Sequence, residues 1–151
     1  MRNGTTASTL ILAGLGFCGW ASTAGAEGAK APIVWPAGDI KWMENPAMKG
    51  AKIAVLWGDP KAGAYGALKT IAAGSTLALH THTSDQRVID LSGTIVLTIE
   101  GAAPKELASG SYAFIPGGVK HTAECKAGSD CKYFEEQQGP SDIKFVEGAK
   151  K

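Results

Sequence analysis

Every histidine of this 151-residue chain falls in one of two glycine-framed segments, and that placement constrains the fold more than any other feature. The first segment, GSTLALHTHTSDQRVIDLSG, runs from Gly74 to Gly93, and the second, GSYAFIPGGVKHTAEC, from Gly110 to Cys125. His80 and His82 are two apart at the end of an alternating run, so on a strand both imidazoles leave the same face. Two imidazoles on one strand face make a bidentate metal clamp, and His121 offers a third ligand from the second segment. Imidazole is well suited to Zn, Fe, Ni and Cu near neutral pH.

The rest of the pattern also predicts strands. KIAVLW, YGALKTIA, TLALHTH, QRVIDL, TIVLTIE, SYAFIP and KYFEEQQ are short, partly alternating runs separated by Gly, Pro, Asp and Ser. Such regular spacing argues for an all-β domain that is closed or sandwiched.

Taken together, the motif positions resemble those of the cupin superfamily. Gly74, His80, His82, Gln86 and Gly93 match its first motif, and Gly110, Pro116, Gly118, His121 and Cys125 its second. Two positions depart: Gln86 stands where the pattern has an acidic ligand, and Cys125 where it has Asn. The chain is similar to small single-domain bacterial cupins, and to the cupin half of zinc-dependent anti-sigma factors. The resemblance implies a double-stranded β-helix, the RmlC-like jelly-roll barrel, with a divalent transition metal (Zn, Fe, Mn or Ni) inside.

At the N-terminus, Arg2 precedes the apolar run LILAGLGFCGWA and the A-x-A sequence Ala24-Gly25-Ala26, the pattern of a secretory signal peptide. Cleavage is expected after Ala26, which places the protein in the periplasm or outside the cell. A lipid anchor at Cys18 is the rival reading, opposed by the bulk of Phe17 before it. The chain accordingly divides into four parts: a signal peptide over 1–26, an extended arm over 27–50, a cupin domain over 51–147 and a short tail over 148–151. Trp35 and Trp42 on the arm either pack on the body, where cupin arms often cross to a second subunit of a homodimer, or plug the barrel end. No later stretch is long and apolar enough for stable membrane insertion. Removing Arg2 leaves fourteen basic and fourteen acidic residues, without the clustered positive face of a nucleic-acid binder.

Within the motifs, His80, His82 and His121 are the expected metal ligands, with Gln86 as a fourth ligand or as the hydrogen-bond partner of a metal-bound water. Asp85 and Asp90 are candidates to orient the imidazoles, or are ordinary turn residues. A divalent ion held by neutral ligands keeps its formal charge and should attract anionic or chelating oxygen donors. Tyr112, Asp90 and Glu124 lie near the motifs, but none declares itself as a general acid or base. The functional classes left open are a periplasmic metal- or small-ligand-binding protein and a metal-dependent dioxygenase, isomerase or lyase. Cys125 and Cys131 flank the turn-forming KAGSD and are expected to form a disulfide across a hairpin. The alternatives are Cys125 pointing inward as a thiol near the metal, and a free buried pair.

Overall fold

Residues 1, 31–45 and 48–148 are described in the computed structural model of the chain. The expected signal sequence beyond Met1, its cleavage point, Cys18, the first residues of the arm and the end of the tail lie outside the described residues. The chain divides into two compact units, 1–33 and 34–151, and the second contains every described strand.

Among the described residues, eleven strands account for nearly all regular structure: β1 (Met43–Glu44), β2 (Lys52–Gly58), β3 (Tyr65–Ile71), β4 (Thr76–Thr81), β5 (Gln86–Ser92), β6 (Thr94–Ile99), β7 (Lys105–Ala108), β8 (Tyr112–Ile115), β9 (His121–Cys125), β10 (Cys131–Gln137) and β11 (Lys144–Phe145). They form two antiparallel sheets, ordered β1-β2-β3-β10-β5-β8 and β11-β4-β9-β6-β7. This is the all-β jelly roll expected from the sequence, with the inner faces of both sheets turned on one cavity. The seven apolar runs correspond to β2, β3, β4, β5, β6, β8 and β10, displaced by a residue or two at their ends. Polar β7, which pairs with β6, and the two-residue β1 and β11 carry no alternation from which a strand could be read.

Strict period-two alternation on three neighbouring strands stacks inward side chains in rows. Tyr65, Gln137 and Gln86 are successive Cα partners across β3, β10 and β5; Ala67, Glu135 and Val88 make the next row, and Lys69, Tyr133 and Asp90 the third. The six-stranded sheet therefore faces the cavity with a charged and polar stripe. A register shift between Lys132 and Tyr133 lets β5 carry an extra residue just beyond Asp90.

The Cys125–Cys131 disulfide is present, with its Cα atoms 5.8 Å apart. It does not close a hairpin, however: β9 and β10 lie in different sheets, so the bond ties the two sheets together at one end of the barrel. Both cysteines are buried in an apolar cluster with Ile71 and Ile95. Gly93 shows why its motif position excludes a side chain. Its φ is +78°, and a Cβ there would lie 2.9 Å from the Cys131 sulfur and from the Asp130 carbonyl oxygen.

Neither tryptophan plugs the barrel. Half-exposed Trp35 donates its indole N–H to the Leu56 carbonyl, and Trp42 lies beneath the Lys132 ammonium on the outer face. Asn45 and Met48 from the same stretch line the cavity instead.

Candidate metal centre

The three histidines converge as their strand positions require. His80 on β4 and His121 on β9 are direct cross-strand partners, and His82 follows two residues beyond His80 on the same side. All three are buried, at 0 %, 3 % and 7 % exposure for His80, His121 and His82. One nitrogen from each lies within 4.8 Å of the others. His80 Nδ1 sits 2.7 Å from the Ala78 carbonyl oxygen, His121 Nδ1 3.0 Å from that of Val119, and His82 Nδ1 against that of Asp142. Each carbonyl can only accept, so each ring carries its proton on Nδ1 and turns an Nε2 lone pair elsewhere.

That arrangement leaves a conflict that a cation resolves. His80 Nε2 and His82 Nε2 are 3.1 Å apart, and two lone pairs at that distance repel unless something positive stands between them. Two nitrogens each about 2.1 Å from one ion, at tetrahedral or octahedral angles, are roughly 3.0–3.4 Å apart. Protonation is a poor alternative: burial lowers all three imidazole pKa values, that of His80 to about 4, and the rings repel one another's charge. The residues present therefore fit a divalent transition metal.

Gln86 is 3 % exposed and lines the same cavity as the histidines. Asp85 does not orient an imidazole: its carboxylate accepts the Gly117 N–H at 2.9 Å and braces the loop before β9. Backbone carbonyls hold the histidine rings in its place. One of them belongs to Asp142, whose carboxylate accepts the Thr83 N–H at 2.9 Å and so fixes the chain just after His82. Tyr112 is exposed and Glu124 faces solvent, while Asp90 is inside.

The cavity, of about 80 Å³, contains charges that the motif reading missed. Lys69 and Glu135 form a buried ion pair, and the Tyr65 hydroxyl donates to the same Glu135 oxygen at 2.8 Å. Burial alone would lower the Lys69 pKa, but Glu135 outweighs it and the net shift is upward. Burial likewise opposes ionisation of Glu135, and Lys69 reverses it, so the carboxylate pKa falls. Burial and the Glu135 charge push the Tyr65 phenol up to about 12. At neutral pH this triad is fixed as ammonium, carboxylate and phenol. Its signal in the sequence was parity: Lys69 shares a face with Tyr65, Ala67 and Ile71, and Glu135 with Cys131 and Tyr133.

Asp90 differs from that triad. It is 1 % exposed and lines the cavity, yet among the described residues neither of its oxygens has a hydrogen-bond partner. Burial raises its pKa to about 6.

Comparison with known proteins agrees with this architecture. A family model described as "Domain of unknown function (DUF4437)" matches residues 26–149. No curated protein matches the sequence. Among solved structures, the polyketide cyclase RemF from Streptomyces resistomycificus is 18 % identical, with a TM-score of 0.64, over 77 % of this chain and 86 % of that one. The DMSP lyase DddQ from Ruegeria pomeroyi is 15 % identical, with a TM-score of 0.60, over 72 % and 62 %. A chain of the Rhodobacter sphaeroides complex of SigE with the anti-sigma ChrR is 20 % identical, with a TM-score of 0.54, over 68 % and 52 %. The shared fold is that of the cupins.

Proposed function

Because the chain belongs to the DUF4437 family, whose description names no activity, its role has to come from its site, and we propose that it is a binding protein for a divalent metal and a small oxygen-donor ligand. The carrying observation is the trio of buried imidazoles whose Nδ1 positions are all satisfied by carbonyls. His80, His82 and His121 would hold the ion, and Gln86 would complete its surroundings directly or through water. The bound ion would supply Lewis acidity and an attachment point for anionic oxygen. One water needs roughly 10–15 Å³ on the same volume measure. A cavity of about 80 Å³ therefore suits a small molecule and not a polymer.

The state of the charged groups favours binding over turnover. Lys69, Glu135 and Tyr65 hold one another in fixed protonation states, which suits them to shape a pocket more than to exchange protons. A metal-dependent lyase, isomerase or dioxygenase is the second reading, favoured by Asp90, a cavity carboxyl whose pKa burial raises to about 6. Export is part of the proposal: the signal-like N-terminus and the buried disulfide both suit an oxidising compartment. A native N-terminus at Glu27 would support export, and an intact Met1 on protein from the cell envelope would oppose it.

The test is elemental analysis of purified protein together with single substitutions of His80, His82 and His121 by Ala. We expect about one equivalent of Zn, Fe, Mn or Ni in the parent, and none in any variant, since each ring supplies one of three ligands. Retention of metal by all three variants would reject the site. Oxygen uptake or product formation that vanishes in Asp90→Asn would move the assignment to the enzyme reading.

A further inference from the structure

Asp90 occupies the third inward row of β5, four residues from Gln86, and both side chains line one cavity. An ionised carboxylate without a partner is expensive in a buried setting, and proteins remove that cost by pairing or by hydrogen bonding. Neither remedy is present here. Lys69, the cation in the adjoining wall, is committed to Glu135 and to the Tyr65 hydroxyl oxygen. Tyr133 is the cross-strand Cα partner of Asp90, yet neither Asp90 oxygen accepts a hydrogen bond among the described residues. Between the two ends the lining combines the Lys69–Glu135 pair with the aliphatic side chains of Val88, Ile95, Leu97, Leu107 and Ile115.

We propose that Asp90 is the second pole of a two-point ligand site: the metal takes the anionic oxygen head of a small ligand, and Asp90 takes a hydrogen-bond donor, preferably an ammonium, at the other end. This rests on the metal-binding reading above and adds the ligand's class, a short aliphatic chain with unlike ends. The length follows from the strand. Four residues of β-strand span about 13 Å. The Gln86 and Asp90 side chains project in parallel from one face, so with the ion beside Gln86 a metal–oxygen bond of about 2 Å and a hydrogen bond of about 3 Å leave about 8 Å, the span of a chain of about five carbons between its head oxygen and its donor. The charges agree. The Lys69–Glu135 pair is internally neutral, so the metal end remains positive and the Asp90 end negative, a field that orients a ligand bearing a carboxylate at one end and a donor at the other.

The experiment uses Zn-loaded protein and three probes with the same five-carbon chain and a carboxylate head: valerate, δ-aminovalerate and glutarate. Their far ends are apolar, cationic and anionic. Affinities are measured by isothermal titration calorimetry at pH 7.5, in the parent and in Asp90→Asn. A hydrogen bond to a charged partner is worth about 1.5–3 kcal/mol, or roughly a tenfold to hundredfold change in affinity. We expect δ-aminovalerate to bind tighter than valerate by that factor, glutarate to bind weakest, and the amine preference to disappear in Asp90→Asn while Zn stoichiometry is kept. The ranking in the parent protein tests the inference even if the variant folds poorly. Equal affinities for valerate and δ-aminovalerate, or a preference for glutarate, would overturn it, the latter assigning the pole to Lys69. If Zn binds and no probe does, the two-point site is wrong and the metal centre stands. If Zn itself fails to bind, both readings fall.

Discussion

At the residue scale, the histidines were legible because spacing alone determines which of them share a strand face, and His80 and His121 are indeed cross-strand partners. Lys69, Glu135 and Asp90 were harder, because their meaning depends on which strands become neighbours. Alternation marks Lys69 and Glu135 as inward, but their pairing requires β3 beside β10, a long-range fact that no local pattern carries. Breaking that pair should be costly. Lys69→Met leaves Glu135 buried without its cation, and on the order of 3–5 kcal/mol of stability should be lost in urea unfolding. Lys69→Met combined with Glu135→Leu should recover much of it; an undiminished loss in the double variant would mean that packing, not charge, dominates. Asp90 gives a pH signature of known sign. Its pKa is raised in the fold to about 6, so the folded state holds a proton that the unfolded chain has already released. Its contribution is complete below the unfolded value near pH 4 and is lost as pH rises through about 6. Measured on metal-free protein, Asp90→Asn should gain stability relative to the parent between pH 4 and pH 7, on the order of 3 kcal/mol. A pH-independent difference would show that Asp90 has an ordinary pKa.

At the element scale, strands with clear alternation announced themselves, whereas β7, β1 and β11 exist because their neighbours offer them edges. The cysteine pair shows how a correct pairing can accompany a wrong topology. KAGSD looks like a hairpin turn, and the Cα separation suits either geometry, but the chain between the cysteines crosses from one sheet to the other. The bond is therefore an inter-sheet tie. A loop this short contributes about 2 kcal/mol in the chain-entropy estimate. Reduction, or replacement of both cysteines by Ala, should lower stability by about that amount. It should leave metal affinity nearly unchanged, because β9 is held on both sides, by β4 and by β6, along the strand that carries His121. A tenfold or larger fall in Zn affinity on reduction would instead show that the disulfide positions His121.

At the scale of the whole molecule, the metal joins parts that the strand ladders connect only indirectly. His80 and His121 come from adjacent strands of the five-stranded sheet, while His82 lies past the end of β4, tethered to the Asp142 carbonyl just before β11. An ion on all three would cross-link the barrel mouth, and because the unfolded chain does not present the trio, metal binding must add to folding stability. At a free metal concentration one hundred times Kd the gain is about 2.7 kcal/mol. For a domain of this size that corresponds to a rise in Tm of about 10 °C. Burial lowers all three imidazole pKa values, that of His80 to about 4. The metal-induced rise should therefore persist from pH 8 down to pH 7 and fade at lower pH, as protons compete for Nε2. Differential scanning calorimetry with and without Zn, across that pH range and in His121→Ala, checks all three parts. A rise that survives His121→Ala, or one that collapses already between pH 8 and pH 7, would place the ion somewhere other than the imidazole trio.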